Sequence, residues 1–310
     1  MLNKHSHLIF LPEKFGALAE TDYFCGVIAK WYTKTLRDMI EIANLSFKYP
    51  GQTEPVFTDF SLRLEENKVY GLLGKNGTGK STLLYLISGL LRPATGSVCV
   101  DDTDAYERQV ETLREIFLVP EEFDLPSMTL KQYVKLNAPF YPRFSREVLE
   151  ECLKDFELTT DLKLQALSMG QKKKVFMSFA LAANTRYLLM DEPTNGLDIP
   201  SKSQFRKVVT QNMNDERTVI ISTHQVHDVE SLLDHILILS QRELLLNAST
   251  AELTEKYKFE YRSVDDGSTV IYSEPSLQGN AVMAERQADD AETQLNLELL
   301  FNAVTKGLLK

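Results

Sequence analysis

Cysteine is scarce in this 310-residue chain: Cys25, Cys99 and Cys152 are the three, far apart and in no CxxC or Cys/His spacing. That excludes a disulfide-framed secreted domain and a zinc site, and it predicts reduced thiols in a cytosolic protein. Long apolar runs are missing too. A membrane-spanning helix needs about 20 consecutive apolar residues, whereas the best runs here, at 188–190 and 236–239, have strand length. The sequence therefore predicts a chain that is soluble by itself. Basic charge is in deficit, with 34 Lys plus Arg against 44 Asp plus Glu and a net charge of −10. Binding nucleic acid through phosphate neutralisation needs the opposite balance, so nucleic acid is not an expected partner. Internal repeats and low-complexity tracts are absent, which excludes solenoid and fibrous classes.

What is present is a core-forming composition, 43% apolar and 25% charged, in a length that suits about two domains. Residues 1–38 mix aromatics and a short apolar patch at 8–11 without helical or alternating period, and Pro12 interrupts a signal-peptide reading. From Met39 the pattern alternates apolar and polar through Phe47, as a half-buried strand does. The expected organisation is an N-terminal extension over 1–38, an α/β domain over 39–240 and a small C-terminal accessory domain over 241–310. Translation is expected to begin at Met39, with 1–38 disordered or outside the native product.

Strands and helices alternate in the main domain. Val69–Leu73 is a short apolar strand; residues 80–91 carry apolar side chains at helical spacing; Pro93 and Gly96 break the chain before a strand at about 98–100. Between about 125 and 165 the sequence turns helical, with Thr129-Leu130-Lys131-Gln132 as a capping box after Pro126. Continuous apolar runs at 187–190 and 218–222 suit parallel strands buried on both faces. Beyond 240, residues 244–246 and 258–262 read as strands and 295–304 as a helix.

Gly74-Lys75-Asn76-Gly77-Thr78-Gly79-Lys80-Ser81 satisfies G-x-x-x-x-G-K-[ST] between a predicted strand and a predicted helix. Glycines let backbone N–H groups converge on a phosphate, and the helix N-terminus adds its positive dipole end. Lys80 would bridge β- and γ-phosphates and the Ser81 hydroxyl would ligate Mg²⁺. Downstream, the strand at 187–190 ends in Asp191-Glu192. Asp191 at the strand's C-terminal end suits a metal-bound carboxylate, and Glu192 suits a general base for water. A solvated strand exit is the plainer reading of that pair, and the upstream phosphate loop decides against it.

The ordered set of 74–82, Leu167-Ser168-Met169-Gly170-Gln171, 188–193, Gly196-Leu197-Asp198 and Ser222-Thr223-His224 resembles the ATP-binding subunit of ABC transporters over roughly residues 39–240. The resemblance implies an α/β P-loop NTPase of ABC type. Its parts are a parallel core sheet, antiparallel N-terminal strands, a helical insertion subdomain at about 125–165 and a small C-terminal α+β module. It implies ATP and Mg²⁺ as cofactors, ATP hydrolysis coupled to transport, and a multi-spanning membrane permease encoded by a separate chain. A second ATPase subunit, identical or paralogous, would pack head to tail. The protein would sit peripherally on the cytoplasmic face of the membrane through that permease.

By the same resemblance, Gly74, Lys75, Asn76, Gly77, Thr78, Gly79, Lys80, Ser81 and Thr82 hold the phosphates and Tyr49 stacks on adenine. Ser168, Gly170 and Gln171 approach the γ-phosphate bound by the opposite subunit, and Asp198 links the two sites. His224 contacts the γ-phosphate and orients Glu192 and water, and Lys80 joins them in catalysis. Two departures stand out: Met169 replaces a usual glycine, and Glu121 in Pro120-Glu121-Glu122 replaces a usual glutamine. Glu121 remains a candidate for water and metal contacts, with a charge that makes the site more dependent on the metal.

Two further stretches carry competing readings. Lys172-Lys173-Lys174 reads as a solvated helix face in preference to a phosphate contact. Tyr141-Pro142-Arg143-Phe144 is either a turn packed by aromatics or part of the face that docks on the membrane partner. Met169 and this stretch together resemble exporter ATPases. The alternatives are a soluble ABC-type switch acting on ribosomes or nucleic acid, and an ATP-binding scaffold without turnover. Lys80, Asp191, Glu192 and His224 are all present, which argues against the scaffold.

Overall fold

The computed structural model describes residues 39–240, 243–262, 270–277 and 279–309. The expectations for residues 1–38 lie outside the described residues. Along the chain, β1 (Met39–Phe47) and β2 (Phe57–Glu65) form a hairpin, and β3 (Val69–Leu73) leads into α1 (Lys80–Ile87). β4 (Thr95–Val100), β5 (Thr103–Asp104), α2 (Val110–Glu115) and β6 (Ile116–Val119) follow. Next come α3 (Leu130–Asn137), α4 (Arg146–Asp155), α5 (Met169–Ala182), β7 (Tyr187–Asp191), α6 (Ile199–Gln211), β8 (Thr218–Thr223) and β9 (His235–Ser240). The last elements are β10 (Glu243–Ser249), α7 (Thr250–Lys256), β11 (Tyr257–Arg262), β12 (Tyr272–Ser276), β13 (Gly279–Glu285) and α8 (Leu297–Thr305). Among the described residues no helix is long and apolar enough to cross a membrane.

The central sheet runs β10-β9-β3-β8-β7-β6, with β9, β3, β8, β7 and β6 parallel and β10 antiparallel to β9. Every residue of β3, β7 and β8 is buried, which is why their sequences are continuous apolar runs rather than alternating ones. Successive side chains point to opposite faces, so the sheet feeds two cores. Leu72, Leu189, Ile220 and Leu237 pack with α1 and the antiparallel sheet β2-β1-β4-β5. Leu73, Leu188, Val219 and Ile236 pack with α5, α6 and residues of the C-terminal strands and α8, such as Met283 and Leu300. β10 thus adds an antiparallel strand to the main sheet, and a second sheet β11-β13-β12 packs into the same apolar core.

Local chemistry sets several boundaries. Thr129 caps α3 through a capping box with Gln132. The periodicity predicts helix to residue 91, yet α1 stops at Ile87. Gly89 there is left-handed at φ +68°, and a Cβ on it would lie 2.1 Å from the Ala105 carbonyl oxygen. β2 escapes sequence reading for a related reason. Asn44 and Asp59 both take positive φ, the β1–β2 register shifts between Ile42 and Leu45, and the alternation of β2 breaks between Phe57 and Phe60.

Arg217 is 2% exposed, just ahead of β8. Its guanidinium donates to the carbonyls of Asn212 (2.8 Å), Leu181 (3.1 Å) and Thr185 (3.3 Å) and to Asn184 Oδ1 (2.7 Å). Burial, reinforced by Arg143, pushes its pKa down to about 10. The side chain ties the ends of α5 and α6 to the start of β7 and β8. Arg217→Met is expected to lower stability by about 3 kcal/mol, since it strands several buried acceptors. Urea unfolding measures it, and an unchanged midpoint would contradict the role.

Candidate active site

The parallel register brings the chemistry together. Leu73 lies beside Thr223, and Asp191 beside Ser222, so the loops after β3, β7 and β8 leave the sheet side by side. Open α/β sheets bind ligands at such C-terminal strand ends.

The loop after β3 is shaped by two glycines. A Cβ on Gly74 would lie 2.7 Å from the Leu239 carbonyl oxygen. Gly79 has φ +101°, and a Cβ there would lie 2.8 Å from Val56 and Phe57. The loop therefore runs against β9 on one side and the hairpin tip on the other, and delivers Lys80 as the first residue of α1. Thr78 braces the turn by donating its hydroxyl to the Lys75 carbonyl at 2.9 Å. Tyr49, in contact with Phe47 edge to face, shares a 3.2 Å hydrogen bond with Thr82 Oγ1. A cavity of about 340 Å³ opens here, lined by Tyr49, Gln52, Val56, Asn76, Gly77, Gly79, Lys80, Ser81, Thr82, Glu121 and Glu192. Gln52 and Val56 carry no sequence signal; they reach the site because the β1–β2 connection folds over the loop.

Charge is concentrated at this edge. Among the described residues the buried charged side chains are Lys80, Lys173, Asp191, Glu192 and Arg217, and all but Arg217 lie here. Lys80 Nζ donates to the carbonyls of Gly74 (2.8 Å) and Lys75 (3.3 Å) and stands 3.5 Å from Glu192 Oε1. His224 Nδ1 donates to the same Oε1 at 2.8 Å, and the His224 backbone N–H to Oε2 at 3.3 Å. Glu192 is held in the left-handed region at φ +46°, with its N–H donating to the Ser222 carbonyl (3.0 Å) and hydroxyl (3.3 Å). Such strain persists only where the surroundings over-determine it, and it clusters at functional sites.

Asp191 is 1% exposed and accepts from the hydroxyls of Ser222 and Ser81. Burial raises its pKa, the two hydroxyls oppose that, and the charges of Glu121 and Glu192 add to the rise. A hydroxyl and a carboxylate side by side are hard oxygen donors, and a cation relieves the crowding of carboxylates. The donor set fits Mg²⁺. Glu121 reaches the cavity wall while its Oε1 accepts from Asn195 Nδ2 at 2.9 Å.

Ser168, Gly170, Gln171 and Asp198 are not among the residues lining this cavity. Ser168 and Gln171 form a capping box at the start of α5, and Asp198 caps α6 through the Ser201 N–H at 2.9 Å. Hydrogen bonds from the Ser201 hydroxyl and backbone hold the Asp198 carboxyl below its usual range. Met169 is exposed at the same helix start. Lys173 departs from the solvated-face reading: it is buried, and its Nζ donates to the carbonyls of Asn195 (2.8 Å) and Glu192 (3.3 Å). Lys174 instead reaches Gln204 Oε1 at 2.9 Å. A run of three lysines carries no mark of which one turns inward.

Comparison with known proteins bears on the family and the fold. The sequence model described as "ABC transporter" matches residues 57–195. The chain is 34% identical over 226 residues to the cobalt import ATP-binding protein CbiO of Salmonella paratyphi A, covering 69% of this chain and 82% of that protein. It is 28% identical to the lipopolysaccharide export system ATP-binding protein LptB of Haemophilus influenzae, covering 68% and 90%. A solved structure described as an ATP-binding subunit of an ABC transporter superposes with a TM-score of 0.62 at 24% identity, covering 69% of this chain and 91% of that one.

Proposed function

The chain belongs to the family of ABC transporter ATP-binding proteins, and we propose that it drives a separate membrane permease as one half of an ATP-bridged dimer, in the direction of export. It has the ABC ATPase fold and is an ATP-binding, ATP-hydrolysing protein of this family. The observation that carries the catalytic assignment is the Glu192 carboxylate held between Lys80 and His224 at the end of the parallel sheet. The loop N–H groups and Lys80 bind the phosphates, and Tyr49 takes the base. Glu192, oriented by His224, accepts a proton as water attacks the γ-phosphorus and the bond to ADP breaks. Ser81 and Asp191 would hold Mg²⁺ with Glu121 at its edge, and the ion when bound neutralises phosphate charge. Ser168, Gly170, Gln171 and Asp198 face the nucleotide of the partner copy, and residues 241–310 form an accessory module.

The permease reading has support on the surface. A cleft of about 570 Å³ is lined by Leu90, Arg108, Val110, Arg114, Phe140 and Tyr141 among others, and Leu90, Val110 and Phe140 are 54%, 55% and 66% exposed. Apolar side chains clustered in an exposed cleft mark an interaction site. Export is favoured by Met169 and the Tyr141-Pro142-Arg143-Phe144 stretch, of which Tyr141 lines that cleft while Phe144 packs on Phe179. The protein would then lie at the cytoplasmic face through its permease. Purification in mild detergent tests this: a multi-spanning partner is expected with the native chain and lost in Leu90→Asp/Phe140→Asp while ATP binding persists. Co-purifying ribosomes or nucleic acid in place of a membrane protein would overturn the reading in favour of a soluble ATP-driven switch.

A further inference from the structure

We infer that Lys173 is a positioning residue for hydrolysis, its buried ammonium pinning the turn that carries Glu192 to the helix that begins at Ser168. The inference rests on the proposed role of Glu192 as the base. Residues 192–195 form a tight turn closed by the Asn195 N–H on the Glu192 carbonyl at 3.1 Å. Lys173 Nζ donates to that same Glu192 carbonyl at 3.3 Å and to the Asn195 carbonyl at 2.8 Å, so it grips both ends of the turn. The residue at the head of the turn is the one with φ +46°, a conformation that relaxes unless held from outside. At the other end of the turn Asn195 Nδ2 binds Glu121, which ties the metal-side carboxylate into the same assembly.

Electrostatics agrees with the geometry. Burial lowers the Lys173 pKa, and the charges of Glu121, Glu192, Asp191 and Glu122 act against that. A lysine on a helix face has water available as an alternative; this one is 6% exposed and gives it up for main-chain carbonyls beside the reacting groups. Because Ser168 caps the start of α5, a shift of that helix start is carried by Lys173 to the backbone of Glu192. The base of one site and the segment facing the other site are thereby held by one side chain.

Lys173→Met keeps the aliphatic stem and removes the donor. With the phosphate loop untouched, KM for ATP and affinity for ADP are expected to stay within about twofold, while kcat falls between about 10- and 100-fold, the scale of a slightly misplaced reacting group. Lys173→Arg, which retains donors for both carbonyls, is expected to recover most of kcat. Full kcat in Lys173→Met would overturn the inference. So would a parallel loss of ADP affinity and thermal stability, or failure to fold, because Lys173 would then be a structural residue. Glu192→Gln in the same assay separates this from the catalytic reading: turnover retained there refutes the base itself, whereas turnover lost there and kept in Lys173→Met refutes the positioning role alone.

Discussion

Glu192→Gln is expected to bind ATP and to turn it over about 10²–10⁴-fold more slowly than the native chain, the range for loss of a positioned general base. The substitution preserves size and leaves an amide oxygen for His224 Nδ1, so the cavity keeps its shape. It removes the negative charge 3.5 Å from Lys80 Nζ, which leaves that ammonium paired with the Gly74 and Lys75 carbonyls and free to meet phosphate. Nucleotide affinity should therefore hold or rise as turnover falls. Stopped turnover with retained binding, measured by phosphate release and by calorimetric titration with ATP, is the expected pair of results. Native turnover would refute Glu192 as the base.

Ser168→Arg is the second large effect. In a single chain Ser168 lies away from the cavity around Lys80 and serves as the N-cap of α5, its hydroxyl accepting from the Gln171 N–H at 3.3 Å. Losing that cap costs about 1 kcal/mol, too little to unfold a domain with two apolar cores. The helix start, exposed at Ser168 and Met169, is a ready anion site, and an arginine side chain closes it sterically. ATP binding at the phosphate loop is expected to persist, while turnover falls at least about 100-fold, as when one preorganised donor is removed from a transition state. Turnover within twofold of native would show that the helix start takes no part.

The sequence carried the strands that matter most because burial on both faces leaves its own signature: 69–73, 187–190 and 218–222 are apolar without interruption. The phosphate loop was legible because its glycines answer to backbone crowding, as at Gly74 against Leu239. What stayed hidden depends on contacts between distant segments. β2 was masked by the bulge where Asn44 Nδ2 binds Asp59. The inward turn of Lys173 depends on the carbonyls of residues 192 and 195, which only the fold presents to it. The link from Asn195 to Glu121 joins residues on separate loops, and no local pattern announces it. The helix that starts at Leu167-Ser168-Met169-Gly170-Gln171 was legible as well, and Ser168 and Gln171 close its first turn as a capping box.

If each ATP lies between Lys80 of one copy and Ser168 of the other, unhydrolysed ATP must act as a ligand of the dimer and shift the monomer–dimer equilibrium by mass action. Light scattering of Glu192→Gln with ATP, with ADP, and with ATP in the presence of the added Ser168→Arg change measures this directly. The expected result is a dimer with ATP alone and monomers in the other two conditions. A monomer in all three, or a dimer indifferent to nucleotide and to Ser168, would contradict it.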